Sequence, residues 1–133
     1  MNTFALDTNI ISYLLKMDAH IVEMVSKETS AGHKLIIPPI AYYEIKRGLL
    51  AVNATVKMEV FERLCSKNVV GEINRAVLDE AAGLHATLRR AGRPIDDADL
   101  LIAAFCIVHE YTLITNNPRH FEHIDGLQLA NWI

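Results

Sequence analysis

Residues 3–15 read TFALDTNIISYLL: a short apolar run, Thr3 to Leu6, closed by Asp7 and followed at once by a helical pattern. A run without polar alternation predicts a strand buried on both faces. Asp7 marks the turn at its end. Thr8 or Asn9 is suited to cap a helix carrying Ile10, Ile11, Leu14 and Leu15. The same alternation continues down the chain. A helix is expected over Ala19–Ser30, broken by Gly32, then a strand at Leu35–Ile37. Pro38 and Pro39 end that strand and open a helix to about Leu50, because proline is tolerated in a first helical turn. Thr55–Ser66 reads as a helix with Val56, Val60, Phe61 and Leu64 inward, and Val69-Val70 as a short strand. Arg75–Ala91 is a long amphipathic helix, capped by Asn74 and ended by Gly92. Asp96 and Asp97 precede the apolar helix Leu100–His109. Tyr111–Ile114 is a strand, Asn116-Asn117-Pro118 a turn, and Leu127–Trp132 a last strand or tail. Short apolar strands alternating with helices predict an α/β fold, a parallel sheet covered on both faces.

The chain has 133 residues, 51% apolar and 22% charged, the size and balance of one packed domain rather than a disordered chain. No repeat, low-complexity tract or linker interrupts it, so residues 1–133 are read as a single domain. Cys65 and Cys106 sit in apolar helical surroundings and read as buried free thiols, which suits a reducing cytoplasm. No basic segment followed by an apolar stretch marks a secretion signal. The longest apolar run, Leu100 to Val108, falls far short of the roughly 18 residues of a membrane span. The phosphate-binding loop, the dinucleotide fingerprint, the serine elbow and the HExxH zinc motif are all missing.

In open parallel sheets the ligand crevice lies beyond the carboxyl ends of the strands. Asp7 ends the first strand, and Asn117 follows the Tyr111–Ile114 strand by a short turn. Asp96, Asp97 and Asp99 start the helix feeding that same strand. Glu44, one to two turns into the helix after the second strand, leans over the same edge. Taken singly, most have ordinary explanations. Asp7 suits a turn or cap, Glu44 pairs with Arg47 on an exposed face, and Asp96 and Asp97 complement a helix dipole. Asp99 is different, because it interrupts the apolar run ADLLIAAF. Carboxylates converging on one crevice repel each other unless a cation holds them. Oxygen-only donors select hard ions such as Mg²⁺ or Mn²⁺. Such ions can deprotonate a water, position a phosphodiester and stabilise its leaving oxygen. His120 and His123, the only near pair of histidines, read as surface residues.

Five segments, in order along almost the whole chain, resemble the PIN-domain ribonucleases of the VapC type, toxins of bacterial toxin–antitoxin pairs. They are LDTNI (Leu6–Ile10), AYYEIKRG around Glu44, GRPIDDADLLIAA (Gly92–Ala104), TLITNNPRHF (Thr112–Phe121) and GLQLANW (Gly126–Trp132). The resemblance implies a three-layer α/β/α sandwich and Mg²⁺- or Mn²⁺-dependent endonuclease action on RNA, often tRNA. It also implies a homodimer and inhibition by a cognate antitoxin. Matched by position, Asp7, Glu44 and Asp99 are the catalytic, metal-binding acids, and Asp97 and Thr115 are auxiliary. Asn117 stands at the fourth acidic position. Asparagine can hydrogen-bond a metal-bound water but adds no negative charge, which weakens the hold on a second metal.

Asp7, Glu44, Asp97 and Asp99 supply four negative charges against a net −3, so the rest of the chain carries a net +1. Arg47, Arg93 and Arg119 border the expected crevice and are the candidate RNA-binding residues, with Lys46, Arg89 and Arg90 nearby. No aromatic platform of the RNP type is present, so the RNA is expected to be read by shape and backbone rather than by extensive stacking. A haloacid-dehalogenase-type phosphatase would need a second acid where Asn9 stands. A phosphorelay receiver domain would need an acidic pair near the first strand. The alternative left open is a catalytically weak PIN fold that binds RNA or protein, supported by Asn117. Tyr42, Tyr43, Leu49, Leu50 and Met58 exceed what one core stripe requires and point to a dimer interface.

Overall fold

The computed structural model describes residues 2–133. Its centre is a five-stranded sheet in the order β3-β2-β1-β4-β5. The strands are β1 (Thr3–Leu6), β2 (Lys34–Ile37), β3 (Val69–Val70), β4 (Thr112–Ile114) and β5 (Gln128–Ala130). Every neighbouring pair is parallel, with Ala5 opposite Ile36 on one side and Leu113 on the other. The crossovers are the helices α1 (Thr8–Leu15), α2 (Ala19–Ser30), α3 (Pro39–Ala51), α4 (Thr55–Lys67), α5 (Arg75–Arg90) and α6 (Asp97–His109).

The central strands read as uninterrupted apolar runs because both of their faces are covered. Successive side chains of a strand point to opposite faces. Ala5, Ile36 and Leu113 accordingly join Val77, Leu88, Leu100 and Phe105 in a core beneath α5 and α6. Phe4, Leu6, Leu35, Ile37 and Ile114 join Ile10, Ile11, Ile21 and Phe61 in a second core under α1 to α4. These layers make the expected α/β/α sandwich. Ile102 through Cys106 are all buried, so α6 is apolar nearly all round. At the end of β3, Gly71 lies so close to Phe105 that a Cβ there would stand 2.3 Å from Cζ of the ring. Both cysteines are free thiols; Cys106 is buried and Cys65 half-buried. Among the described residues no helix is long and apolar enough to cross a membrane.

Three sequence expectations need correction. The cap of α1 is Asp7 itself, whose carboxylate accepts the Thr8 N–H, rather than Thr8 or Asn9. Helix α6 starts at Asp97, with Asp96 as its cap, a full turn earlier than the apolar run suggests. Val56 is 73% exposed, not inward. At about 100° per residue it stands about 140° round the helix from the buried Phe61, whereas Met58 and Leu64 share Phe61's face.

Candidate active site

Strand β1 delivers Asp7 to the carboxyl edge of the sheet. Its N–H is tied to the Ile114 carbonyl at 2.9 Å, and its own carbonyl accepts from Ile10 and Ile11 at 3.0 and 3.1 Å, so strand and helix together fix the residue. The side chain is buried, with 5% of the residue exposed. Oδ1 accepts the Thr8 N–H at 2.8 Å. Oδ2 accepts the Thr115 hydroxyl at 2.8 Å and stands 3.5 Å from Asn9 Nδ2. Burial pushes the carboxyl above its ordinary value of 3.8. The bonds from Thr115 and Thr8 oppose this, the nearby Glu44 adds to it, and His120 pulls the other way.

Thr115 is fully buried. Its hydroxyl donates to Asp7 and accepts the Asn117 N–H at 2.9 Å. The turn after β4 is also tied to α1: the Asn116 N–H donates to Asn9 Oδ1 at 3.1 Å, and Asn116 Nδ2 to the Tyr13 hydroxyl at 3.0 Å. Asn117 contributes its backbone. Its side chain makes no cap bond to the short 3₁₀ turn Pro118–His120 that follows.

Asp99 sits in the first turn of α6, its N–H held by Asp96 Oδ1 at 2.9 Å. Partial burial is the main cause lifting its carboxyl, followed by the charges of Asp96 and Asp7; His120, whose Nδ1 is 3.0 Å from Oδ2, opposes the rise. Glu44, on α3, accepts the Thr8 hydroxyl at 2.8 Å through Oε1, and its Oε2 is 3.9 Å from Arg47 Nη2. The Arg47 guanidinium also lies over the Tyr43 ring, 5.0 Å from its centroid.

The structure therefore gathers Asp7, Glu44, Asp99, Thr115 and the Asn117 backbone at one edge, with Asp7 electrostatically linked to both other acids. Among the described residues no three acidic, histidine or cysteine side chains already form a ligand cage. Asp7 is engaged by Thr115, Glu44 by Thr8 and Asp99 by His120. The donor set is oxygen only, and two of its carboxyls are lifted by burial and by neighbouring acids, Asp7 by Glu44 and Asp99 by Asp96 and Asp7, strain that a hard divalent cation relieves. Mg²⁺ typically takes one or two carboxylates and keeps several waters, which does not require a cage.

Asp97 is not brought to this edge. It borders a groove with Ala81, Ala82, His85, Leu100 and Leu101. Residues two apart on a helix diverge by about 200°, so Asp97 and Asp99 cannot face the same way. Arg93 and Arg119 line a cavity of about 390 Å³ beside Asp99 and His120, while Arg47 stands on the Glu44 side. Sequence reasoning passed over His120, Asn9, Asn116 and Tyr13. The usable signal for His120 was its place in the turn leaving β4, the same strand end that supplies Thr115.

The PIN domain family matches residues 4–127. Ribonuclease VapC1 of Haemophilus influenzae strain R2866 is 30% identical over 130 residues, 97% of either chain. The tRNA(fMet)-specific endonuclease VapC of Shigella flexneri is 28% identical over 99% of either chain. Among solved structures, DNA-bound VapBC from Salmonella typhimurium matches the whole chain with a TM-score of 0.89 at 27% identity. VapBC2 from Rickettsia felis, bound to a DNA fragment from its promoter, matches with a TM-score of 0.88 at 25% identity, over 98% of this chain and 99% of that one. By these matches, 30% identity over 97% of either chain included, the chain belongs to the PIN-domain family and, within it, to the VapC ribonucleases.

Proposed function

We propose that this protein is the toxin of a toxin–antitoxin pair, an endoribonuclease that uses Mg²⁺ or Mn²⁺ held by Asp7, Asp99 and Glu44 to cleave RNA, tRNA among the candidates. The observation that carries the reading is the buried Asp7, braced by Thr115 and electrostatically coupled to Glu44 and Asp99 at one sheet edge. A bound divalent ion supplies positive charge to the phosphodiester and makes a water nucleophilic near neutral pH. The chain's own residues do the rest. Thr115 and the Thr8 N–H pin both oxygens of Asp7, so the carboxylate keeps one orientation. Thr8 does the same for Glu44. Arg47 on one side, and Arg93 and Arg119 on the other, contact the RNA flanking the cleaved bond in this reading. Asp97 acts from outside this cluster, through the field at the start of α6. The neutral Asn117 leaves the Asp7–Thr115 bond intact, because its part is a backbone N–H.

The relatives' complexes support a cognate antitoxin as partner, and the exposed Tyr43 and Leu50 on α3 support a second copy of the chain. The free thiols suit the reducing cytoplasm where such pairs work. The decisive experiment incubates the protein with an RNA panel in Mg²⁺, in Mn²⁺ and in EDTA, beside Asp7→Asn and Asp99→Asn. The expected result is metal-dependent cleavage leaving 5′-phosphate and 3′-hydroxyl ends, reduced by orders of magnitude in both variants. Cleavage that survives EDTA, or 2′,3′-cyclic phosphate ends, would overturn the reading.

A further inference from the structure

The turn after β4 and the loop before α6 enclose the cavity of about 390 Å³ that opens beside Asp99. Its walls are Pro94, Ile95 and Ile124, the imidazoles of His120 and His123, and the ends of Arg93 and Arg119. Arg93 Nη1 stands 2.6 and 2.7 Å from the two ring nitrogens of His123, so guanidinium and imidazole are in direct contact at the wall of the cleft. Both histidines are about half exposed, at 51% and 46% of their side chains. The charges nearly cancel: Arg93 and Arg119 face Asp96, Asp99 and Glu122, and Asp96 is already occupied in capping α6.

A near-neutral cleft with apolar walls and flat π-surfaces is a poor seat for a bare phosphate. It suits an uncharged planar ring that stacks on imidazole and guanidinium planes. The volume lies within the range of small-ligand sites. Asp99, in its lining, ties the cleft to the proposed site of the reacting phosphodiester.

We infer that this cavity is a nucleobase subsite, holding the base of one nucleotide next to the cleaved phosphodiester with His123 and Arg93 as its stacking platform and Arg119 toward the adjoining phosphate. The inference rests on the endoribonuclease reading and adds base contact to a site otherwise expected to read only backbone. It gives the His120/His123 pair a use that a surface location does not.

The test uses a short RNA cleaved by the full protein and a set of its derivatives, each with one abasic ribose at a position around the cleaved bond. Wild type, His123→Ala and His123→Phe are compared by kcat/KM. In parallel, the binding of each RNA is measured by fluorescence anisotropy in an Asp7→Asn background. The wild type is expected to lose about tenfold at one abasic position adjoining the cleaved bond, as a lost stacked base does. His123→Ala loses the same tenfold on intact RNA and nothing more on that abasic one; His123→Phe, which keeps a stacking face, stays close to wild type. Abasic penalties unchanged in His123→Ala would overturn the subsite, as would His123→Phe as weak as His123→Ala. If no RNA is cleaved, the nuclease reading falls by itself. The anisotropy series still decides the subsite, which stands on an abasic penalty in binding that His123→Ala removes and falls without one.

Discussion

Replacing Thr115 by valine removes one hydroxyl from the most constrained point of the site and changes the side-chain volume little. That hydroxyl donates at 2.8 Å to Asp7 Oδ2 and accepts the Asn117 N–H at 2.9 Å, in surroundings that leave Thr115 fully buried. A hydrogen bond to a charged group contributes about 1.5–3 kcal/mol, and valine leaves Asp7 Oδ2 and the Asn117 N–H short of a partner. The expected loss of stability is about 2–3 kcal/mol at pH 8, a fall of roughly 6–12 °C in Tm for a chain of this size. The sign with pH follows from Asp7. Its carboxyl already lies above its ordinary value, and the Thr115 bond is the leading influence holding it down. Valine therefore raises it further. The destabilisation is complete where Asp7 is ionised in both proteins and fades as falling pH protonates the carboxyl. Thr115→Ser keeps the hydroxyl and loses one methyl, about 1 kcal/mol at every pH. Urea unfolding of the metal-free proteins from pH 4.5 to 8 reads all of this. A valine variant as stable as wild type at pH 8, or one whose deficit does not depend on pH, would refute the claim that Thr115 holds an ionised Asp7.

Asp7→Asn, expected to cut cleavage by orders of magnitude, is also expected to raise the Tm of the metal-free protein at pH 7.5. It deletes a charge that burial disfavours, and the gain disappears as pH falls through the raised carboxyl toward 3.8, as calorimetry across that range would show. Gly71→Ala places a Cβ 2.3 Å from Cζ of the buried Phe105 and is expected to cost about 1–3 kcal/mol in urea unfolding without changing the metal concentration for half-maximal cleavage. Asn117→Asp adds a charge near the acids and is expected to lower that metal concentration and the metal-free Tm together. A metal titration and a melt in which neither quantity moves would place its side chain outside the ion's reach. Leu50→Glu, on the exposed face of α3, is expected to shift the protein from dimer to monomer in light scattering at tens of micromolar, with the fold kept.

The elements were legible because pattern and packing agree. Thr3–Leu6, Leu35–Ile37 and Thr112–Ile114 lie in strands without alternation, each between two covered faces. Asp7 was legible for a related reason: an acid that closes a doubly buried strand has one edge to occupy. Asp99 declared itself by interrupting an apolar helix. Asp97 shows where sequence adjacency misleads, since two residues along a helix nearly reverse the direction of a side chain. Val56 failed similarly, being apolar but off the face that Phe61 defines. The engagement of Asp99 by His120 had no local signature, because the contact spans 21 residues and two elements that only the sheet brings together. The Asn9–Asn116–Tyr13 ties were hidden too, since amides and a phenol at surface-like positions form no period.

The placement of β1 at the middle of the sheet also fixes when this nuclease can first exist. The bond that orients Asp7 comes from a residue 108 positions later, and the strand beyond it, β5, holds the Thr115 N–H through Ala130. At a synthesis rate of about 5–20 residues per second, roughly 5–20 s separate the making of Asp7 from the making of Thr115. For most of that interval Asp7 and Glu44 have neither α6 nor β4 beside them, and until its end no Thr115 hydroxyl. The cutting edge is therefore a late feature of the chain, and a partner made beforehand can meet it as it forms.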